Sequence, residues 1–208
     1  KEFKFKEFDF QISIGSLPLL FATTIQSIPA KEPYLHVRQN LIKEWRQKLN
    51  LNKKFNIGFA CSGNETHFKN DKKRPIPIQM FDLNIKNTKM FCIQKSLKKN
   101  DEIYLRNQKY IEYLGDKISN FEETAAIIKN MDLIISIDTA LAHLAGALGK
   151  PTWALIAYSP DWRWGINQKI SRWYPTVNIY RQKKIDGWQE VIDLVKADLT
   201  QLINKPNK

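Results

Sequence analysis

The segment spanning residues 133–153 constrains the fold most, because it predicts a strand, a turn, a helix and a second strand in direct succession. Residues 133–137 form an apolar run rich in β-branched side chains, with Ser136 as its one polar residue, which is typical of a parallel strand buried on both faces. Asp138 and Thr139 favour helix N-caps, and Gly149 favours the end of the helix. This pattern predicts an α/β fold with a strand that leads straight into a short helix.

The predicted helix has two different faces. The apolar face, which we expect to pack on the sheet, consists of Leu141, Leu144, Ala145 and Leu148. The second face is small and polar and consists of Thr139, Ala142, His143 and Gly146. Because helical side chains lean toward the N-terminus, His143 reaches back to the helix mouth beside Asp138 and Thr139. Open N–H groups and the helix dipole make that mouth a candidate phosphate-binding site.

Composition narrows the class of protein. The 208 residues are 43% hydrophobic, which provides for a core and excludes a disordered chain. The formal charge is +12, but the lysines are scattered along the chain, so we expect an acidic, phosphorylated small molecule rather than a nucleic acid. Cys61 and Cys92 have neither metal nor redox spacing, which predicts buried free thiols in a reducing cytosol.

The chain contains no apolar stretch of the roughly 18 residues that a membrane span needs. It begins at Lys1 without a methionine, which we interpret as a start inside a longer protein. Residues 1–50 look like an extension, with a strand near 8–14, an extended crossing segment around Pro29 and Pro33, and a helix over 41–49.

Strands and helices alternate from residue 55 onward. The predicted strands are 55–61, 89–93, 116–118, 133–137, 152–157 and 177–180. The predicted helices are 76–83, 121–130, 140–148 and 188–203, with mostly loop and extended chain over 101–115. Strands separated by helices indicate a parallel sheet covered on both faces.

Parallel sheets bind ligands beyond the carboxyl ends of their strands, and three loops here leave such ends. The first loop, residues 62–74, combines Gly63 with side chains suited to phosphate, namely His67, Lys69, Asn70, Lys73 and Arg74. The second is Gln94-Lys95, and the third is the helix mouth at 138–143. The first loop is equally compatible with an ordinary solvated surface, and for Lys95 the surface interpretation is favoured.

An aromatic segment follows the strand at 152–157. It contains Tyr158, Asp161, Trp162, Arg163 and Trp164, with Trp173 and Tyr174 shortly after. These rings could stack on a base or sugar ring, or they could pack a long loop, which we favour for Trp173 and Tyr174. Asp161 and Arg163 are an internal ion pair or a donor contact. The loops typical of ATPases and of NAD-binding proteins are both absent from the sequence.

The segment Ser136-Ile-Asp-Thr-Ala-Leu-Ala-His-Leu-Ala-Gly-Ala-Leu-Gly-Lys-Pro resembles the donor-binding motif of heptosyltransferase-like glycosyltransferases of family 9. The match to their tetratricopeptide-linked bacterial relatives is closer still. Supporting segments are Ser16-Leu-Pro-Leu, Thr23-Thr-Ile-Gln-Ser-Ile-Pro-Ala, Lys69-Asn-Asp-Lys-Lys-Arg, Ile93-Gln-Lys, Ser159-Pro-Asp-Trp-Arg-Trp and Trp173-Tyr-Pro.

The resemblance implies a GT-B enzyme, with residues 51–208 as its C-terminal, Rossmann-like, nucleotide-sugar-binding lobe. Residues 1–50 would be the tail of the N-terminal lobe and the crossing segment between lobes. It implies donor phosphate contacts from His67, Lys69, Asn70, Arg74, Lys95, Asp138, Thr139, Ala140 and His143. Base or sugar contacts would come from Gln94, Tyr158, Asp161, Trp162 and Trp164. The family usually carries glycine where this chain has Ala140, so the donor can differ.

These expectations describe a glycosyltransferase of inverting type that takes a nucleotide-diphosphate-sugar as substrate, needs no cofactor or metal, and works in the cytoplasm. The acceptor would be a glycan, a lipid or a protein presented by upstream tetratricopeptide repeats, and peripheral membrane association stays open. The N-terminal lobe is largely missing, so no catalytic base is named and the fragment alone is expected to be inactive. The alternatives are a sugar-nucleotide epimerase or hydrolase and a non-catalytic binding or scaffold module. A nucleic-acid binder ranks last.

Overall fold

A six-stranded, fully parallel sheet forms the centre of the chain. The computed structural model describes residues 9–30, 33–51, 53–63 and 75–204. The strands pair in the order β3-β2-β1-β4-β5-β6, and each neighbouring pair is parallel. Their bounds are β1 Phe55–Ala60, β2 Thr88–Cys92, β3 Ile111–Tyr113, β4 Leu133–Ile137, β5 Thr152–Ile156 and β6 Val177–Arg181. The expected parallel α/β sheet is confirmed.

Helices cover both faces of this sheet. Their bounds are α1 Leu17–Leu20, α2 Gln39–Lys48, α3 Lys99–Arg106, α4 Phe121–Lys129, α5 Ala140–Ala147 and α6 Trp188–Asn204. One buried cluster joins the sheet to apolar residues of α3 and α6. The other joins its opposite face to α2, α4 and α5. The result is a three-layer arrangement, since α2, α3, α4, α5 and α6 each bury apolar residues against the sheet, whereas α1 has no buried residue.

Strand β4 shows why the central strands consist mostly of apolar residues. Leu133, Ile135 and Ile137 pack into the α3/α6 layer, whereas Ile134 packs into the layer of α2, α4 and α5. Every residue of β4 is buried, because successive side chains in a strand point to opposite faces.

The strand order reverses between β1 and β4, and this reversal positions the candidate site. From β1 the chain moves outward through β2 to β3, then returns to place β4 on the other side of β1. In open parallel sheets such a reversal leaves a crevice beyond the carboxyl ends of the two strands. The loops after Ala60 and Ile137 border that crevice.

Two predictions about the outer strand were wrong. Residues 116–118 do not form the third strand, since Gly115–Lys117 is a 3-10 turn and the strand is Ile111–Tyr113. The region 101–115, expected as loop and extended chain, contains the extended β3 but begins with most of α3. Leu105 of α3 is buried in the core, and the Arg106 guanidinium bonds the Glu102 carboxylate at 2.5 Å. Packing of a few side chains and this i,i+4 pair suffice for a helix with a weak apolar pattern.

The extension before β1 was predicted in part. The described residues of the expected strand near 8–14 form no strand, whereas the expected helix over 41–49 is α2. The backbone N–H groups of Tyr34 and Leu35 donate to the Ala147 carbonyl at 3.1 and 3.2 Å, so the segment that precedes α2 is attached to the end of α5. Among the described residues, no helix combines the length and apolarity needed to cross a membrane.

Candidate functional site

A cavity of about 290 Å³ lies at the reversal point of the sheet. Its walls come from the loops after β1, β2 and β4 and from the first residues of α4 and α5. The lining residues are Ala60, Ser62, Gly63, Ile93, Gln94, Lys95, Ser96, Phe121, Thr124, Thr139, Ala140 and Leu141. We refer to this space as the switch-point cavity. It contains four of the predicted contacts, namely Gln94, Lys95, Thr139 and Ala140.

The N-terminus of α5 forms one wall of the switch-point cavity. Thr139 is the N-cap residue, but its side chain makes no capping hydrogen bond; its hydroxyl lies 3.0 Å from that of Ser136. The N–H groups at the start of a helix have no acceptor within the helix. Those of Ala140 and Leu141 are therefore directed at the cavity end, where the helix dipole adds about half a positive charge. This wall suits an anion.

The same helix ends at the predicted residue. Gly149 has a φ of +66°, a conformation that glycine adopts without steric cost. The N–H groups of Gly149 and Lys150 donate to the carbonyls of Gly146 and Ala145 at 2.9 and 3.0 Å. These two bonds are a Schellman motif, so α5 is terminated at one end and presents unpaired donors at the other.

Lys95 adds a cation to the switch-point cavity. The residue is exposed, and its ammonium donates to the Ile118 carbonyl. It lines both the switch-point cavity and an adjoining space of about 180 Å³. An ammonium has three N–H donors, so Lys95 can bond an anion while it retains the carbonyl contact.

The side-chain amide of Gln94 has a structural role. Its amide oxygen accepts from the backbone N–H groups of Cys61 and Ser62 at 3.2 and 2.9 Å. Its amide nitrogen donates to the Ser62 hydroxyl at 2.5 Å and to the Ser96 carbonyl at 2.6 Å. The buried Gln94 amide thereby joins the ends of β1 and β2, which shapes the cavity floor and leaves little hydrogen-bonding capacity for a base or sugar.

The start of α4 contributes residues that sequence reasoning missed. Phe121 is 68% exposed, and with Thr124 it lines both the switch-point cavity and the adjoining space. Asn120 caps α4 by accepting from the Glu123 N–H at 2.9 Å, and the Glu123 carboxylate accepts from the Ser119 N–H at 2.6 Å. The signal available in the sequence was an aromatic residue directly after an asparagine that favours a helix N-cap.

His143 faces a different cavity from Lys95. Its Nε2 lies 3.5 Å from Asp138 Oδ1, so the expected reach back to Asp138 is confirmed. The ring lines a space of about 430 Å³ with Arg163, Trp173 and Tyr174, which we call the His143 cavity. The second face of α5 is therefore not a polar phosphate wall: Ala142 is buried in a small apolar cluster with Trp164.

The aromatic segment divides into packing and exposed residues. Trp164 is 1% exposed and stacks on His143 with ring centroids 5.2 Å apart, so it holds the imidazole from behind and presents no open face to a base. Trp162 is 69% exposed and meets Trp173 edge-on at 5.8 Å. The expectation of a ligand-facing ring therefore stays a prediction for Trp162, whereas the structure corrects it for Trp164.

The remaining predicted contacts lie apart from the switch-point cavity or outside the described part of the chain. Asp161 accepts from the Arg163 guanidinium at 2.8 Å, which confirms the internal ion pair. Tyr158 is exposed after β5 and donates its N–H to the Gln182 amide oxygen at 3.0 Å. Five predicted phosphate contacts lie outside the described residues: His67, Lys69, Asn70, Lys73 and Arg74.

The two cysteines behave as the sequence predicted. Cys61 and Cys92 are buried and free. Burial raises the pKa of Cys92 to about 12 and also raises the pKa of Cys61, so neither is a nucleophilic thiolate at neutral pH. Within the described residues, no group of three or more His, Cys, Asp or Glu side chains is placed to hold a metal ion.

The comparisons with known proteins agree with this geometry. Residues 87–187 match the model of glycosyltransferase family 9 (heptosyltransferase). The matched segment runs from β2 past β6, so it includes α5, Lys95 and the aromatic segment. The match covers just under half of the 208 residues, so over this segment the chain is similar to that family. No curated protein gives a significant match to the sequence.

Solved structures of glycosyltransferases share the fold. E. coli ADP-heptose lps heptosyltransferase II is 17% identical with a TM-score of 0.54, over 88% of this chain and 56% of that one. E. coli heptosyltransferase WaaC with ADP is 14% identical with a TM-score of 0.54, over 92% and 57%. A family 9 glycosyl transferase from Veillonella parvula is 14% identical with a TM-score of 0.51, over 84% and 46%. The chain thus spans about half the length of these structures, and the fold class is that of one lobe of a GT-B glycosyltransferase.

Proposed function

We propose that this chain is the donor-binding lobe of a glycosyltransferase that uses a nucleotide-diphosphate-sugar. The observation that carries the proposal is the switch-point cavity, where the N-terminus of α5 and the Lys95 ammonium face one space. Both features favour a diphosphate, because helix N-termini and ammonium groups stabilise phosphate oxygens. The similar WaaC heptosyltransferase contains ADP, which supports a nucleoside diphosphate as the ligand.

The adjoining space at α4 is the place we assign to the nucleoside. It shares Ile93, Lys95, Phe121 and Thr124 with the switch-point cavity, so a ligand can extend from one to the other. The exposed ring of Phe121 supplies an aromatic face on which a base can stack. This arrangement assigns the diphosphate to Thr139 and Ala140 and the base to Phe121, and it replaces Gln94 and Trp164 as base contacts.

The reaction we propose is transfer of the sugar with inversion. An acceptor hydroxyl attacks the anomeric carbon, the bond from that carbon to the phosphate oxygen breaks, and the nucleoside diphosphate leaves. The α5 N-terminus and Lys95 stabilise the negative charge that develops on the departing oxygen. The proton of the acceptor hydroxyl passes to a base. We place this base in the N-terminal lobe, where a two-lobed enzyme of this kind would bind the acceptor.

The finer parts of the proposal rest on the motif resemblance. They are a glycan, lipid or protein acceptor, upstream tetratricopeptide repeats that present a protein acceptor, and a cytoplasmic location. We also propose His67, Lys69, Asn70 and Arg74, which lie outside the described residues, as phosphate contacts. No cofactor or metal takes part in the proposed reaction.

A thermal-shift screen tests the donor-binding role. The chain is heated with ADP-, UDP-, GDP- and CMP-sugars and with the free nucleotides, together with Lys95→Gln and a matched control, Lys98→Gln. Both lysines are exposed, but only Lys95 lines the switch-point cavity. We expect one nucleotide class to raise Tm by a few degrees when its concentration is about 100 times its Kd. The rise should be smaller in Lys95→Gln and unchanged in Lys98→Gln.

The outcomes separate the alternatives. No rise in Tm with any nucleotide at millimolar concentration contradicts the donor-binding role and favours a scaffold. An equal rise in both lysine variants contradicts the assignment of the diphosphate to this cavity. If the longer protein converts or hydrolyses the bound sugar nucleotide without an acceptor, the epimerase or hydrolase alternative replaces transfer.

A further inference from the structure

The His143 cavity lies about one turn further along α5 than the switch-point cavity. Thr139 and Ala140 line the switch-point cavity and His143 lines the other, and residues three or four positions apart on a helix share a face. We propose that the His143 cavity binds a sugar ring, with aromatic faces from Trp173 and Trp162 and hydroxyl partners from Arg163 and His143. This proposal rests on the proposed function for its substrate class, a saccharide.

The lining chemistry fits a hydroxylated, uncharged ring. Three of the four lining side chains carry rings and the fourth is a guanidinium. A sugar presents C–H groups on its faces and hydroxyls on its rim, so it needs apolar surfaces with a few polar groups beside them. The volume of about 430 Å³ falls within the range typical of small-molecule sites, roughly 300–1,000 Å³.

The charge of the cavity favours a sugar over a phosphate. Arg163 is the one lining side chain with a permanent charge, and the Asp161 carboxylate bonds its guanidinium at 2.8 Å. A guanidinium has five N–H donors, so Arg163 can still donate to hydroxyls after this contact. Because its charge is balanced, the attraction for an anion is weak compared with that at the α5 N-terminus.

The walls are held in place before any ligand arrives. The buried Ser171 hydroxyl accepts from the Trp173 and Tyr174 N–H groups at 3.2 and 3.3 Å. The Trp173 indole N–H donates to the Arg163 carbonyl at 3.1 Å, and the Tyr174 hydroxyl lies 3.2 Å from His143 Nδ1. A preorganised wall reduces the entropy lost on binding.

Trp162 forms an exposed, ordered rim. Its ring is 69% exposed, yet the Trp173 ring meets it edge-on at an angle of 81°. The Arg163 guanidinium carbon lies 4.9 Å from its centroid. An exposed indole held by two neighbours next to a cavity offers a surface on which a sugar face can stack.

The position of the cavity matches the proposed reaction. His143 lies about one turn along α5 from Thr139 and Ala140, a rise of roughly 5 Å. A sugar joined to a diphosphate at the α5 N-terminus would lie within about one helical turn of that site, and so would an acceptor saccharide that receives it. Both sources present the same chemistry, and they differ in whether a nucleotide is attached.

Fluorine NMR on the full chain labelled with 5-fluorotryptophan tests the proposal. Trp162→Phe and Trp173→Phe assign two of the six tryptophan resonances. The probes are ADP, UDP, ADP-glucose, UDP-glucose, maltotriose and chitotriose. We expect a saccharide-containing probe to shift both resonances while ADP and UDP leave them in place. Movement with the sugar nucleotides alone identifies the donor sugar, and movement with a free trisaccharide identifies the acceptor.

Variants add a quantitative arm. Arg163→Gln should weaken the saccharide probe about tenfold, since a charged hydrogen bond is lost, and leave nucleoside diphosphate binding unchanged within about twofold. Ile166→Ala is the control: Ile166 is exposed on the same loop and does not line the cavity. An Arg163→Gln affinity equal to that of the control overturns the role of Arg163.

The proposal is overturned if no saccharide probe moves either resonance at millimolar concentration, or if ADP and UDP move both as far as their sugar conjugates do. The two proposals fail separately. Nucleotides that raise Tm without any saccharide effect leave the donor site in place and remove the sugar cavity. If a trisaccharide shifts the Trp162 and Trp173 resonances while no nucleotide raises Tm, the sugar cavity is kept and the donor site is removed.

Discussion

His143 Nε2 lies 3.5 Å from Asp138 Oδ1, so a side chain from the second turn of α5 meets the residue that precedes its N-cap. Asp138 follows β4 directly and Thr139 opens into the switch-point cavity. The contact therefore joins the two cavities across the start of one helix. A ligand that extends from the proposed phosphate site to the proposed sugar site would pass this pair.

Gln94→Ala should destabilise the protein. Its amide accepts from two buried backbone N–H groups, at Cys61 and Ser62, and donates to two oxygens. Removal leaves these groups without partners, at a cost of about 2–3 kcal/mol in the free energy of unfolding. Urea unfolding measures the change, with Gln79→Ala as the exposed control. A loss under about 0.5 kcal/mol in Gln94→Ala would contradict the structural role.

Gly146→Ala should reverse the usual sign of a helix substitution. Alanine is normally favoured over glycine in a helix by roughly 1 kcal/mol. Here a Cβ at position 146 would overlap the Tyr174 side chain, so we expect a loss of about 1–3 kcal/mol. The double variant with Tyr174→Ala removes the overlap. If Gly146→Ala destabilises that background equally, the close approach is not the cause.

Cys61 and Cys92 should resist alkylation in the native protein. Both thiols are buried, and burial raises both pKa values, so the reactive thiolate is scarce at pH 8. Iodoacetamide labelling followed by mass spectrometry should show modification only as urea unfolds the chain. Rapid native labelling of either cysteine would contradict their burial.

The same thiols should make stability fall at alkaline pH. Burial raises the native pKa of Cys92 to about 12, whereas the thiol of an unfolded cysteine has a pKa of about 8.5. Unfolding then releases a proton, so stability is complete below about pH 8.5 and declines as pH rises toward about 12, by up to about 1.4 kcal/mol per pH unit. Urea unfolding at pH 8 and pH 10 should show a smaller decline in Cys92→Ala. An unchanged decline would contradict the shift.

The central part of the fold was predictable because its signals are local. The apolar run at Leu133–Ile137 can be satisfied only by burial on both faces, and Gly149 at a positive φ ends α5 where the sequence places a stop. The position of the outer strand was predicted wrongly for the opposite reason. Ile111–Tyr113 has three residues at a sheet edge, and its pairing with β2 leaves almost no pattern in the sequence.

The sequence predicted where the candidate site lies, but it did not predict that the site residues line two separate cavities. The sequence placed Lys95 and Thr139 just beyond strand ends and His143 about one turn into the helix that follows, and the structure does so as well. It could not show that Lys95 and His143 line separate cavities, because that depends on which side of α5 faces β5 and its aromatic loop.

The aromatic segment shows the same limit. Trp162 and Trp164 differ by two positions in a 3-10 turn, and only tertiary packing decides which is exposed. The buried one became the support of His143. The role of Gln94 was hidden likewise, since its partners come from the end of a neighbouring strand.

The most direct test of the account is calorimetric titration of Ala140→Asp with the nucleoside diphosphate that the thermal-shift screen selects. Ala140 is the exposed first residue of α5 and lines the switch-point cavity. A carboxylate there favours the helix but repels a diphosphate. Gln39→Asp makes the same charge change at the exposed first residue of α2. We predict that Ala140→Asp keeps its stability and loses at least about tenfold in affinity, while Gln39→Asp binds normally. Equal affinity in the two variants would contradict a diphosphate at the α5 N-terminus.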